Sequence, residues 1–222
     1  MTDRWVCLDV GETLIDETRL WSLWADDLRV PRLTLFAALG AVIERGDHRD
    51  VFTVLGAVDW RRRVPAIEQA YGGFRAEDLY PDALRALAGL RDAGYRLAVV
   101  ANQPDIRGEQ LRRIGVEAEV MAMSDGLGVA KPDAAFYART LELMGNPSPA
   151  SVAYVGDRVD NDVLPSMAAG MRAVWLRRGP WGVIQRLPDR THPALTVGSL
   201  DELVQRIGEA WPASERRTPR RG

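Results

Sequence analysis

Short apolar runs alternate with longer amphipathic segments along most of the chain. Runs rich in valine, leucine and alanine indicate buried strands; they are WVCLDV, YRLAVVAN, EVMAMSD, SVAYVGD, RAVWLRR and ALTV. Apolar residues three or four positions apart predict helices between them, in PDALRALAGLRDAG, DIRGEQLRRIG, PDAAFYARTLELMG and NDVLPSMAAGM. This alternation predicts an α/β protein with a Rossmann-like, three-layer α/β/α core and a mostly parallel sheet.

The segment after the first run departs from this alternation. Residues 16–78 contain no convincing strand, but they contain amphipathic helical stretches such as RLWSLWADDL, LTLFAALGAVIERG and VDWRRRVPAIEQAYGG. We therefore expect a helical-bundle cap over residues 16–78, inserted after the first strand, and a discontinuous core domain formed by residues 1–15 and 79–222. The tryptophans of this insertion are expected to pack within the bundle; they are Trp21, Trp24 and Trp60.

Composition and charge argue against nucleic-acid-binding, disulfide-bonded and membrane-spanning classes of protein. The formal net charge of −2 gives no reason to expect nucleic acid, although the chain ends in a basic stretch, ERRTPRRG, that we expect to be solvated. The single cysteine excludes an internal disulfide and favours a reducing compartment. No apolar run approaches the roughly 20 residues that span a bilayer. We expect a cytoplasmic monomer or homodimer with no membrane or nucleic-acid partner.

Polar residues collect where predicted strands end. Asp9 follows the first strand, Asn102 the second, and the run GDRVDND the fourth, while Lys131 follows the third after a short segment. The carboxyl ends of parallel strands meet at one edge of a sheet, so these groups are expected to converge on a ligand site. Asp9 and Asp157 offer the oxygen ligands that Mg²⁺ prefers, and Lys131 can balance the charge of a phosphate.

A structural alternative exists for part of this set. Asp160 or Asn161 can cap the helix that follows, and Lys131 and Asp157 can form an ordinary ion pair. The two histidines, His48 and His192, have no partner at metal-ligand spacing and are expected at the surface. The segment RRGPWG either reaches the rim of the site or forms a turn with a packed tryptophan.

Four motifs in order resemble those of the haloacid dehalogenase superfamily. They are the strand and turn from Asp9 to Thr13, the strand end VVAN, the lysine before Pro132, and VGDRVDND. The helical insertion after the first motif is similar to the small cap of that family. The resemblance implies a Mg²⁺-dependent phosphatase that forms an aspartyl phosphate.

The resemblance assigns a role to each matching residue. Asp9 would be nucleophile and metal ligand, Lys131 the charge clamp, Asp157 a metal ligand, and Asp162 a further ligand or a supporting acid. The backbone carbonyl of Gly11 would supply another ligand. Where the family's phosphatases have a second aspartate as general acid and base, this chain has Gly11.

A second departure lies at the next strand. Ala101 stands where the family has a serine or threonine, so Asn102 or its backbone N–H is left to contact the phosphate. Glu12 is the candidate substitute for the missing aspartate, although it can instead cap a backbone group or form a salt bridge to the cap.

Three functions follow from the sequence. The first is hydrolysis of a small phosphorylated metabolite; aryl and acyl phosphates need little protonation of the leaving group, so their hydrolysis can survive Gly11. The second is a dehalogenase-like reaction, in which Asp9 attacks carbon without a metal and Arg19 and Trp21 contribute to a halide site. The third is a catalytically silent binding protein that keeps the fold.

Overall fold

The apolar runs form a parallel sheet in the computed structural model, which describes residues 4–211; the basic stretch ERRTPRRG lies outside these residues. Within them the sheet has six strands in the order β3-β2-β1-β4-β5-β6, and every neighbouring pair is parallel. The strands are β1 (Trp5–Leu8), β2 (Arg96–Ala101), β3 (Val120–Met123), β4 (Val152–Gly156), β5 (Arg172–Leu176) and β6 (Leu195–Val197). The predicted α/β fold with a parallel sheet is confirmed.

The first strand occupies the middle of the sheet. Leu8, its last residue, is in register with Val99 of β2 on one side and Val155 of β4 on the other. The chain leaves β1 towards β2 and β3 and later returns to the other side of β1 as β4. Such a reversal opens a crevice at the carboxyl ends of the strands, which is where ligands bind in sheets of this kind.

Both faces of the sheet are covered. Val6 and Leu8 belong to one apolar cluster, whereas Trp5 and Cys7 belong to another on the opposite face. The α-helices of the described residues are α1 (Thr18–Leu28), α2 (Arg32–Ile43), α3 (Asp50–Val54), α4 (Trp60–Tyr71), α5 (Ala83–Asp92), α6 (Ile106–Arg113), α7 (Ser124–Leu127), α8 (Ala134–Leu143), α9 (Leu164–Ala168), α10 (Gly179–Ile184) and α11 (Leu200–Arg206). Strands buried on both faces explain why their sequences read as continuous apolar runs.

The helices α1 to α4 pack around an apolar cluster of their own. Trp21 and Trp24 are buried in it together with Phe52, as their helical spacing predicted. Trp181 of α10, from the far end of the chain, joins the same cluster. The division into a core of 1–15 and 79–222 and a cap of 16–78 stays a prediction.

The boundaries of some elements differ from the sequence pattern. The first strand ends at Leu8, so Asp9 begins a turn, and the third ends before a short helix, α7. The first residues of the helix predicted from residue 161 belong to a π-helical turn, Val159–Val163, and the α-helix α9 begins after it. The glycines after α5, α6, α8 and α9 adopt positive φ, which suits a helix C-terminus; they are Gly94, Gly115, Gly145 and Gly170. Among residues 4–211, no helix is both long and apolar enough to cross a bilayer.

Candidate active site

A tight turn presents Asp9 at the carboxyl end of β1. Its backbone N–H donates to the carbonyl of Val155 at 2.9 Å, which continues the pairing of β1 with β4 by one residue. The carbonyl of Val10 then accepts the N–H groups of Leu14 and Ile15, at 2.8 and 2.9 Å. Glu12 completes the turn in the left-handed region, with φ of 52°. The side chain of Asp9 is only 10% exposed.

Lys131 joins two of the predicted carboxylates. Its Nζ lies 2.7 Å from Oδ1 of Asp9 and 2.6 Å from Oδ1 of Asp162. Burial by itself would lower the pKa of Lys131, but the carboxylates of Asp162 and Asp9 raise it above its ordinary value. The lysine is therefore a fixed positive charge beside Asp9. It does not pair with Asp157 as the structural alternative proposed.

Three carboxylates form a buried group next to this lysine. One oxygen each of Asp9, Asp157 and Asp162 lies within 4.8 Å of the others. Burial, together with the charges of Asp162 and Asp9, raises the pKa of Asp157 well above its ordinary value. Gly156 permits this crowding, because a Cβ there would lie 2.4 Å from Cγ of Asp162.

The donor set suits a hard cation. Among residues 4–211, Oδ2 of Asp157 is buried without any hydrogen-bond partner, and such an oxygen is costly unless something fills its coordination. Asp162 differs, because Oδ1 pairs with Lys131 and Oδ2 accepts the N–H of Arg158 at 3.0 Å. Carboxylate oxygens are ligands that Mg²⁺ prefers, and Mg²⁺ takes one or two protein carboxylates.

The Asn102 side chain is turned towards Lys131. Its Nδ2 donates to the Lys131 carbonyl at 2.9 Å, and its Oδ1 accepts the Lys131 N–H at 2.8 Å. Both ends of the amide are therefore used to hold the backbone of the lysine. Asn102 also lines the same cavity as Asp9.

The space beside Gly11 is filled by a residue that sequence reasoning did not single out. A Cβ built on Gly11 would lie 2.5 Å from Oε1 of Glu17 and 3.1 Å from its Cδ. Gly11 is absent from the residues with positive φ, so its conformation does not require glycine. Burial, reinforced by the carboxylates of Glu12 and Asp9, raises the pKa of Glu17 to about 8.

The carboxylate of Glu12 is bound by groups near the start of α1 and by Tyr80. Its Oε1 accepts the N–H of Glu17 at 2.9 Å, and its Oε2 accepts the hydroxyl of Tyr80 at 2.5 Å. The carboxylate also packs against Gly179, where a Cβ would lie 2.3 Å from Oε2. Both oxygens of Glu12 thus bond groups of the protein, and one of them is the backbone cap considered from the sequence.

A cavity of about 1020 Å³ is lined by Asp9, Glu12, Glu17, Lys131 and Asp157. Trp21 and Trp181 form part of its wall, and His48 packs edge-on against both, with ring centroids 6.2 and 5.5 Å away. Arg158 lies beside His48, with Nη1 3.4 Å from Nδ1. His48 is thus half-buried, in contrast to the surface position expected for it, whereas His192 is exposed as predicted. The segment RRGPWG both packs its tryptophan and reaches the cavity.

Two charged residues considered from the sequence are engaged elsewhere. The guanidinium of Arg19 binds the Asp78 carboxylate and donates to the Tyr71 carbonyl at 2.7 Å, outside the cavity that contains Asp9. Asp160 pairs with Arg158 at 2.6 Å and accepts an N–H of Gln185 at 2.9 Å. Neither belongs to the group of three carboxylates.

Comparison with known proteins agrees with this architecture. The sequence model of haloacid dehalogenase-like hydrolases matches residues 4–170. A phosphoserine phosphatase of Thermus thermophilus is 31% identical over 192 residues, 85% of this chain and 74% of that protein. A glyceraldehyde 3-phosphate phosphatase of Methanocaldococcus jannaschii is 32% identical over 128 residues, 56% of this chain. The match spans about half, 54%, of that second relative.

Solved structures show the same fold at lower identity. An L-2-haloacid dehalogenase from Xanthobacter autotrophicus superposes with a TM-score of 0.70 at 17% identity, covering 92% of this chain and 98% of that one. A putative hydrolase from Bacillus subtilis, bound to magnesium, gives a TM-score of 0.67 at 19% identity, with the same coverage of 92% and 98%. At these identities the likeness concerns the fold alone. The match to the family sequence model, over most of the chain, places this protein among the haloacid dehalogenase-like hydrolases.

Proposed function

We propose that the protein is a Mg²⁺-dependent phosphatase that acts on a small phosphorylated metabolite through an aspartyl phosphate. The arrangement of Asp9, Lys131 and Asp157 carries this proposal. A carboxylate at the end of the central strand lies 2.7 Å from a buried ammonium group and next to an aspartate oxygen that has no partner among the described residues. A phosphoryl group needs such a combination of nucleophile, positive charge and cation.

The chemistry assigned to the chain has two steps. An oxygen of Asp9 attacks phosphorus, the bond from phosphorus to the ester oxygen breaks, and the leaving oxygen departs with the bonding electrons as an alkoxide or phenoxide. Water then attacks the aspartyl phosphate, the bond to Asp9 breaks, and inorganic phosphate is released. The ammonium group of Lys131 balances charge in both steps, and Asn102 holds the lysine backbone in place.

The proposal assigns a separate role to each residue around the cation. Asp9, Asp157 and the carbonyl of Gly11 would hold Mg²⁺, which when bound supplies positive charge to the phosphoryl oxygens. Asp162 is assigned to orient Lys131, since its two oxygens already accept hydrogen bonds from that lysine and from Arg158. Of the two residues suggested for a halide site, Arg19 is bound to Asp78 outside the cavity, whereas Trp21 lines it, so the dehalogenase-like alternative is less well supported.

Hydrolysis of activated phosphates tests the proposal. We expect wild-type protein with Mg²⁺ to hydrolyse 4-nitrophenyl phosphate and acetyl phosphate, and chelation of the metal to abolish turnover. Asp9→Asn is expected to lower the rate by about 10³-fold or more, as loss of a nucleophile does in other hydrolases. Asp160→Asn is the control, because that carboxylate lies outside the group of three.

The outcomes separate the candidate functions. Turnover that persists in chelator contradicts phosphoryl transfer assisted by a metal. No turnover above the Asp9→Asn level on either phosphate favours the catalytically silent protein.

A further inference from the structure

The carboxyl group of Glu17 occupies the place that a side chain at position 11 would take. An aspartate carries its carboxyl oxygens two bonds beyond Cβ, and each of these bonds is about 1.2 to 1.5 Å long. The Oε1 of Glu17 lies 2.5 Å from the Cβ position of residue 11, which is the same range. A carboxyl group is therefore present at this point although residue 11 is a glycine.

The backbone of Glu17 is held where this approach is possible. Its N–H donates to Oε1 of Glu12 at 2.9 Å, and its carbonyl accepts the N–H of Trp21 at 3.0 Å in the first turn of α1. Glu12 is fixed in turn by the hydroxyl of Tyr80 at 2.5 Å. These hydrogen bonds position Glu17, which follows the turn, next to Gly11.

Glu17 also lines the cavity that contains the proposed nucleophile. The walls of that cavity include Asp9, Gly11, Glu17 and Lys131. Glu12 lines it too, but both of its oxygens accept hydrogen bonds from Glu17 and Tyr80. Of the two glutamates of the turn, Glu17 is the one whose carboxyl group lies where the missing side chain would be.

We propose that Glu17 is the catalytic residue that gives a proton to the departing alcohol and takes one from the attacking water. The proposal rests on the phosphatase function above. In the first step Asp9 attacks phosphorus, the phosphorus–oxygen ester bond breaks, and the Glu17 carboxyl proton moves to the alkoxide oxygen. In the second step water attacks phosphorus, the bond to Asp9 breaks, and the proton of that water returns to Glu17. The substrate class accordingly extends from aryl and acyl phosphates to alkyl phosphates.

Leaving groups of different basicity test the first step. We expect Glu17→Gln to lower kcat/KM for alkyl phosphates such as phosphoserine and glycerol phosphate by about 10²- to 10⁴-fold, the usual contribution of general acid catalysis. For 4-nitrophenyl phosphate, whose alcohol departs without a proton, kcat/KM is expected to change less than about 10-fold. A residue that only supports the fold would affect both kinds of substrate alike.

The second step has its own measurement. In Glu17→Gln we expect a burst of nitrophenolate close to the enzyme concentration, since hydrolysis of the aspartyl phosphate loses its base. Asp16→Asn is the matched control, because that acid accepts the N–H of Thr18 at 2.8 Å and lies outside the cavity. It is expected to show no burst and no dependence on the leaving group.

A double variant keeps the proposal testable if the single Glu17 variant fails to fold. Gly11→Asp combined with Glu17→Ala removes the clash and places the acid on residue 11, so it is expected to recover hydrolysis of alkyl phosphates relative to Glu17→Ala.

These assays test the role of Glu17 separately from the phosphatase function. Equal losses on all substrates, or no loss, in Glu17→Gln overturn the role of Glu17 while wild-type turnover leaves the phosphatase function standing. Absence of metal-dependent turnover by wild-type protein overturns the phosphatase function, and with it the role of Glu17.

Discussion

The side chain of Asn102 supports the candidate site by holding the backbone of Lys131. Its amide makes two hydrogen bonds to Lys131, so it fixes the chain from which the ammonium group reaches Asp9. Position 102 therefore supports the proposed anion site through Lys131, although Ala101 replaces the hydroxyl usual in the family at the preceding position.

One oxygen of Asp157 has no hydrogen-bond partner within the described part of the chain, and it gives a prediction about metal binding that does not depend on turnover. Mg²⁺ at 100 times its dissociation constant is expected to add about 2.7 kcal/mol to the free energy of unfolding. In a chain of this size that amount corresponds to a rise in Tm of about 5 to 11 °C. Asp157→Asn should lose most of this rise, as measured by thermal unfolding with and without Mg²⁺.

A nearby acid provides the comparison for that experiment. Asp160 lies three residues along the same loop and pairs with Arg158, so Asp160→Asn should keep the rise in Tm. An equal rise in both variants would show that Asp157 is not a ligand.

Residues at strand ends could be predicted from the sequence, whereas those placed by a turn could not. Asp9 and Asp157 follow neighbouring parallel strands, and parallel pairing brings such residues together whatever the intervening helices do. Glu17 depends on the direction of the chain after Gly11. That direction depends on the left-handed conformation of Glu12, which no periodicity reveals. The sequence showed only that an acid, Glu17, stands just before the first predicted helical stretch.

At the scale of elements, a buried ion pair ties the turn after β1 to helices from distant parts of the chain. Arg178 binds Asp82 at 2.6 Å, and it also donates to the carbonyl of Thr13 at 3.3 Å. Asp82 in turn accepts the N–H of Leu200, the first residue of α11, at 2.8 Å. The pair therefore joins the active-site turn, α5, α10 and α11.

Removal of the acid from this pair should be strongly destabilising. Asp82→Ala leaves a buried guanidinium without its partner, and we expect a loss of about 3 to 5 kcal/mol in the free energy of unfolding, measured in urea. Asp201, which pairs with Arg85 at the surface, offers the contrast. Asp201→Ala is expected to cost far less, because solvent screens this exposed pair. Similar losses in the two variants would contradict the difference in burial.

Continuous apolar runs and strongly periodic segments were predicted well, and short irregular elements were not. The strands β1, β2 and β4 and the helix α8 match the pattern of the sequence within a few residues. The helix α3 and the turn Val159–Val163 are each five residues long. So short a segment shows no repeat of period 3.6, and its form is decided by tertiary contacts.

At the scale of the whole molecule, acid should weaken the fold through His48. Burial lowers the pKa of His48 to about 4, and Arg158 and Arg49 add to this while Asp47 and Asp160 oppose it. The unfolded chain takes up this proton near pH 6.5. Between about pH 6.5 and 4 the unfolded state therefore binds more protons, so the free energy of unfolding falls as the pH falls.

Substitution isolates this contribution. His48→Gln cannot bind the proton, so its free energy of unfolding should fall less between pH 7 and pH 5 than that of the wild type, as measured in urea. His192, which is exposed, is the matched residue, and His192→Gln should behave like the wild type. A difference between wild type and His48→Gln that is constant with pH would contradict the prediction.

The close approach of Glu17 to Gly11 also bears on how such a site can change during evolution. A Cβ at position 11 would lie 2.5 Å from Oε1 of Glu17, so the two positions cannot both carry a side chain into this space. Substitutions at positions 11 and 17 are therefore coupled, and their effects should not add. A lineage can move the acid from one position to the other only through an intermediate that has lost it or one in which the two side chains compete.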